Sequence, residues 1–186
     1  MTMLSIYHED GTPAAETTSD FAVIQQHLSE HGIQFERWHT TGTLAQDADS
    51  EQVLAAYSDS IEKLNGLYHF KSVDVVSIQP DNPNKAEFRQ KFLAEHTHAD
   101  FEMRFFVDGQ GLFYLHLDQK VYMVLCGKSD LICVPVGTTH WFDMGENPDF
   151  KCIRLFTTEA GWVGDFTASD IATKFPSFDR YVAAQS

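Results

Sequence analysis

The chain has 186 residues, with 27 Asp and Glu against 13 Lys and Arg, for a formal charge of −14. A domain of this length buries roughly 70% of its unfolded surface, and so acidic a chain excludes nucleic acid and anionic membranes as partners, because both are bound by concentrated Lys and Arg. No apolar run approaches the roughly 20 residues that span a bilayer, and the start MTMLSIYHEDGTP has neither the basic nor the long apolar stretch of a signal peptide. Cys126, Cys133 and Cys152 form an odd set without CxxC spacing and read as reduced thiols in strands. A soluble, acidic, cytoplasmic protein is expected. A monomer is the default, since nothing resembles a coiled-coil seam.

Residues 19–31 (SDFAVIQQHLSEH) place Phe21, Ile24 and Leu28 at helical spacing between a Ser19 or Asp20 cap and a Gly32 stop. Residues 33–38 (IQFERW) alternate as a strand. A second amphipathic helix is predicted over 50–66, with Val53, Leu54, Tyr57, Ile61 and Leu64 in one stripe. DVVSIQ (74–79) reads as a strand closed by PDNP, and 84–94 as a short third helix. From residue 95 the pattern changes to short β-like runs: FEMRFFV, GLFYLHL, KVYMVLC, LICV, HWFDM and FKCIRLFTT. Turn residues punctuate them, which indicates an antiparallel sandwich or barrel. The expected fold class is mainly β in one domain. A barrel core over 95–166 follows a helix-rich α/β extension over 1–94 that contributes edge strands, and a C-terminal tail occupies 167–186.

Four residues carry the candidate chemistry: His96, His98, Glu102 and His140. Successive side chains of a strand alternate faces, so the two imidazoles of EHTH point the same way, and Glu102 shares their parity at the start of the next strand. His140 follows PVGTT, where Pro135 and Gly137 set a tight bend. Three imidazoles and one carboxylate suit a first-row transition metal, with two of six octahedral positions left for substrate or dioxygen. Chance supplies about 0.4 HxH matches in a chain of this composition, so that pattern alone is weak. HxHx3E together with PxGxxH arises by chance in on the order of four chains in ten thousand.

These two halves, His96-Thr-His98-Ala-Asp-Phe-Glu102 running to Gly109 and Pro135-Val-Gly137-Thr-Thr-His140, resemble the paired motifs of the cupin superfamily. That resemblance implies a double-stranded β-helix, or jelly-roll barrel. HGIQFERW, the DNP after residues 74–79, FLAEHTH, ExRFFVDGQGLF, PxGxxHWFDMG and the IRLF…GW run extend the likeness, in order, from about residue 31 to 166. Together they resemble the acireductone dioxygenase family of the methionine salvage pathway. The resemblance implies that His96, His98, Glu102 and His140 hold one Fe2+ or Ni2+ per chain. It implies too that Arg104 faces an anionic acireductone, with dioxygen as co-substrate. Iron in this family is implied to give 4-methylthio-2-oxobutanoate and formate, and nickel to give 3-methylthiopropanoate, formate and carbon monoxide. Phe101 stands where bacterial members carry an acidic residue.

Beside that reading stand two others. One is another metal-dependent cupin dioxygenase or isomerase, because a fold does not settle a function. The other is a non-catalytic cupin that binds a small molecule. Phe142, which shares the parity of His140, and Trp162 are candidates for the substrate pocket, with core packing the competing reading. Glu95 has parity opposite to His96. It is assigned to the surface at least as readily as to a partnership with a ligand imidazole. His27 and His31 fall on a solvated helix face, and His116 carries no assigned chemistry.

Overall fold

The strands beyond residue 101 are apolar on both faces, and the architecture explains why. The structure is a computed structural model describing residues 1–40, 44–45, 47–158 and 163–185. Its first part contains β1 (Met3–His8), α1 (Phe21–Ser29), β2 (Gln34–Arg37), α2 (Ser50–Ala56), α3 (Ser58–Tyr68), β3 (Ser72–Ile78) and α4 (Lys85–Phe92). Then come β4 (His96–Thr97), β5 (Glu102–Leu117), β6 (Lys120–Gly127), β7 (Asp130–Val134), β8 (His140–Asp143), β9 (Phe150–Phe156) and β10 (Asp165–Phe166). A 3-10 turn at Ile171–Lys174 leads into α5 (Phe178–Ala184).

All strand pairs are antiparallel, and β5 belongs to two sheets. Its first half pairs with β7 and β9, flanked in turn by β2 and β3; its second half pairs with β6 and β8 in the order β1-β6-β5-β8-β4-β10. Between the sheets lies a core that includes Phe106, Phe113, Val124, Ile132, Phe142 and Cys152. The outer face of the first sheet is covered by α2 and α3, whose Val53, Tyr57 and Leu64 pack with Met103, Phe105 and Leu131. The outer face of the second is covered by the C-terminal segment through Ile171, Phe175 and Tyr181. Strands buried on both faces read as continuous apolar runs rather than as alternation.

Several predicted boundaries move for identifiable reasons. FEMRFFV and GLFYLHL are not two strands but one of 16 residues, because the chain runs through DGQG without turning and the register shift lies just before it, between Phe106 and Asp108. Gly109, paired with Phe150, lets the strand pass close to its neighbour there. Its φ is +76°, and a Cβ there would lie 2.0 Å from the Asp149 carbonyl oxygen. The helix expected over 50–66 breaks at Tyr57 into α2 and α3, and a capping box of Asp49 and Gln52 starts the first of them. The N-terminus forms β1, which had no strand assigned to it. Leu4 and Ile6 face the inter-sheet core, while Met3 and Tyr7 face the C-terminal cap. His31 is not on a solvated face: its ring is 15% exposed, with Nε2 2.9 Å from the Tyr122 hydroxyl and Nδ1 3.3 Å from Asp118. All three cysteines are free and buried, as expected, and burial drives the Cys133 and Cys152 thiols up to about 12.

Asp143, at the end of β8, ties α4, β8 and α5 together. Its fully buried carboxylate takes two hydrogen bonds from Arg89, at 2.7 and 2.9 Å, and one each from the Gly145 and Phe178 backbone amides at 2.9 Å. Burial pushes its acidity toward the neutral form, but the hydrogen bonds from Arg89 and the two amides prevail and hold it below the ordinary 3.8. The folded chain therefore binds this proton less readily than the unfolded chain does. Its contribution to stability is complete above pH about 4 and declines as the pH falls through the carboxylate range. Asp143→Asn is expected to lower stability at pH 7 by about 3 kcal/mol, because it strands the Arg89 charge. Urea denaturation from pH 7 to 3 checks this, and the gap between parent and variant should narrow toward the acid end.

Candidate metal centre

The short strand β4 carries His96, His98 follows it, Glu102 opens β5 and His140 opens β8, with His96 and His140 directly opposite one another in the β4–β8 pair. One ligand atom from each of the four residues falls within 4.8 Å of the others, and all four side chains are buried. Ring centroids are 4.8 Å apart for His96 and His98, 4.7 Å for His96 and His140, and 5.2 Å for His98 and His140. The turn of the second motif is fastened to the first by the Gly137 amide, which donates to the His98 carbonyl at 3.0 Å.

Each imidazole uses Nδ1 on a backbone carbonyl: His96 on Ala94 at 2.7 Å, His98 on Val163 at 2.9 Å and His140 on Thr138 at 2.7 Å. A carbonyl accepts only, so Nδ1 carries the proton in each ring and Nε2 offers an electron pair to the centre. Glu102 Oε2 then lies 2.9 Å from His140 Nε2 and 3.2 Å from His98 Nε2. Electron-pair donors at those distances repel unless a positive charge sits among them. A proton or a divalent ion meets that need, and three neutral imidazoles with one carboxylate are the donor set of a first-row transition metal. The residues fit the ion.

Electrostatics agree with that requirement. Burial drives the His96 imidazole down to about 4, which leaves it neutral and able to ligate at pH 7. Burial also presses on His98, but the Glu102 carboxylate outweighs it and raises that imidazole. Burial opposes the charge on Glu102, yet the Arg104 guanidinium and the His140 and His98 rings hold its carboxyl well below the usual range.

Arg104 lies two residues along β5, with its guanidinium 2.9 Å from Glu102 Oε1. Its charge is boxed by aromatic faces: Phe142 at 4.2 Å, Phe113 at 5.3 Å and Phe92 at 6.0 Å from the ring centroids. Phe142 is 2% exposed, and a Cβ on Gly111 would come within 2.4 Å of it, so the glycine makes room for the ring. Nothing in the pattern singled out Phe92 and Phe113, since aromatics in a strand and at a helix end read as core. Nor could any pattern single out the three ring-orienting carbonyls, which every residue carries.

Other expected positions fall as follows. Trp162 lies outside the described residues. Phe101 turns away from the donors, packing edge-on to Tyr68 at 5.1 Å. Glu95 is not on the surface. It is 4% exposed and bonded to His116 and Thr167, whereas the ligand imidazoles direct their Nδ1 groups to carbonyls instead. A cavity of about 670 Å³ lined by Tyr57, Val107, Lys128 and Lys151 has none of the four donors in its wall.

Comparison with known proteins gives concordant matches. The model of the ARD/ARD' family matches residues 3–164. An acireductone dioxygenase of Stenotrophomonas maltophilia is 54% identical over 188 residues, covering 100% of both chains. One from Methylococcus capsulatus is 52% identical over 182 residues, covering 98% of each. Among solved structures, an acireductone dioxygenase from Bacillus anthracis with a cadmium ion in its active centre matches with a TM-score of 0.78. It is 27% identical and covers 89% of this chain and 98% of that one.

His98→Ala is expected to abolish stoichiometric metal binding while leaving the sheets intact, because its ring lies at the site and not in the inter-sheet core. Metal content of the purified variant by mass spectrometry, with circular dichroism as the control, checks the expectation. A variant that keeps one ion per chain would remove His98 from the ligand set.

Proposed function

The chain belongs to the acireductone dioxygenase (ARD/ARD') family, and we propose that His96, His98, Glu102 and His140 hold its metal ion while Arg104 faces the substrate. The protein is a dioxygenase that cleaves an acireductone, 1,2-dihydroxy-3-keto-5-methylthiopentene, with dioxygen. The observation that carries the site assignment is the set of three Nδ1–carbonyl bonds. They leave three imidazole electron pairs and a buried carboxylate converging on one point.

A divalent ion held there by His96, His98, Glu102 and His140 would supply positive charge toward the enediol oxygens. The protein's own residues do the rest. The carbonyls of Ala94, Val163 and Thr138 keep the rings in one tautomer and orientation, so ligation costs no reorganisation. Arg104 offers a planar guanidinium, and its aromatic box keeps it dry. An anion that reaches the donors meets this cation beside Glu102, which favours the enediolate over the neutral enediol. The buried surroundings exclude bulk water, so each of these interactions is stronger than in solution. Phe142 and Trp162 are proposed to wall the apolar end of the substrate.

The same four donors serve Fe2+ and Ni2+, one ion per chain. The order of affinities favours nickel, so supply in the cell decides the loading, and we infer that iron is the physiological metal. All four donors and Arg104 come from one chain, so the proposed site needs no second copy to complete it, and a monomer is proposed. Among the described residues no helix is long and apolar enough to cross a membrane. Three buried free thiols support a reducing, cytoplasmic setting. Reconstituting the metal-free protein with each ion separately tests the assignment through its products. Iron is expected to yield the 2-keto acid and formate, and nickel to yield 3-methylthiopropanoate, formate and carbon monoxide. An acireductone left unconsumed with both ions would defeat it.

A further inference from the structure

Residues 163–167 contribute one atom directly to the metal centre, the Val163 carbonyl that receives the His98 Nδ1 proton at 2.9 Å. What holds this segment in place is not burial. Val163 is 69% exposed and Phe166 54% exposed, so its two large apolar side chains leave most of their surface in solvent. Its strand, β10, pairs with β4 at two positions only, Asp165 with Thr97 and Phe166 with His96. So short a pair is marginal by itself.

A polar cluster beside it supplies the missing restraint. The Thr167 hydroxyl donates to Glu95 Oε2 at 2.6 Å, and the Thr167 amide donates to the Glu95 carbonyl at 3.1 Å. Glu95 is 4% exposed and immediately precedes His96. Its other oxygen lies 2.6 Å from Nδ1 of His116, whose Nε2 is 2.8 Å from Glu9. His116 stands on β5, next to Leu115, which pairs with His140. One buried carboxylate therefore joins the strand pair carrying His140, the residue before His96 and the residue after β10. A buried charge with its hydrogen bonds filled is a rigid joint, because releasing any partner strands it.

We propose that Glu95, His116 and Thr167 form a latch that holds residues 163–167 against the His96–His98 segment, and so sets the direction in which His98 offers its electron pair. They are positioning residues: they touch neither the ion nor the substrate and act through the Val163 carbonyl. The inference rests on the reading of His98 as a metal ligand. It goes beyond that reading in assigning the ring's orientation to a joint built around Glu95.

The test uses the full-length metal-free chain and Co2+ alone as probe, with affinity by titration and ligand geometry by visible absorption. Thr167→Val removes the hydroxyl but keeps the side-chain shape, and Thr167→Ser returns it. The valine variant is expected to bind Co2+ about tenfold more weakly, as loss of a group that orients a metal ligand does, with altered absorption bands. Its metal-free melting temperature should stay within about 3 °C of the parent, and the serine variant should recover both affinity and spectrum. His116→Leu should move the same readouts further; if that variant fails to fold, the threonine pair still decides. Parental affinity and spectrum in Thr167→Val would overturn the latch. So would a loss that tracks a collapsed melting temperature and is not restored by serine. A parent that binds no Co2+ would overturn the ligand reading beneath it, a result separate from both.

Discussion

Glu102 is a carboxylate buried to 3% exposure at the meeting point of three strands, and a charge so placed must be matched on every side or the fold pays several kcal/mol for it. Arg104 matches one oxygen; His98 and His140 face the other. The imidazoles are committed to backbone carbonyls through Nδ1, so they cannot turn away. A proton or a metal ion among these donors completes the balance, and the proposed site builds on that. The aromatic box around Arg104, the glycine that admits Phe142 and the turn that brings His140 opposite His96 all serve to keep this arrangement closed.

The rest of the fold supplies rigidity to it. Strand β5 starts at Glu102, passes from one sheet to the other near Gly109 and ends just after His116, a residue of the proposed latch. Because it carries Glu102 and pairs with β8, which in turn pairs with β4, the clustered residues His96, Glu102 and His140 are tied to one continuous backbone. Apolar cover on both outer faces, from α2 and α3 on one side and the C-terminal segment on the other, keeps that backbone dry. Asp143 joins the end of β8 to α4 and α5, so the C-terminal residues are part of what holds the strand of His140 in place.

Bulk charge and local charge have different roles. A formal charge of −14 keeps the chain soluble and repels polyanions. At the centre, however, the Glu102 carboxylate is matched by Arg104, so the cluster does not share the acidity of the surface, and an ion held as proposed would make the local balance positive.

Composition, periodicity and two short motifs made the mainly β fold class legible and singled out His96, His98, Glu102 and His140, which the fold brings together, with Arg104 beside them. Parity along a strand is local information, and ligand types at that spacing are rare by chance. Four features were decided only in three dimensions. DGQG is continuous strand and not a turn because Gly109 pairs with Phe150 and passes close to the Asp149 carbonyl, contacts between residues distant along the chain. The strand at Met3–His8 became visible through its partner β6, which no pattern in the first eight residues announces. Glu95 is buried because His116 and Thr167 close over it from positions 21 and 72 residues away. The orientation of each ligand ring depends on backbone carbonyls, and a carbonyl has no signature in sequence. Side-chain chemistry is written in the order of residues, whereas the direction in which that chemistry points is a property of the packed chain.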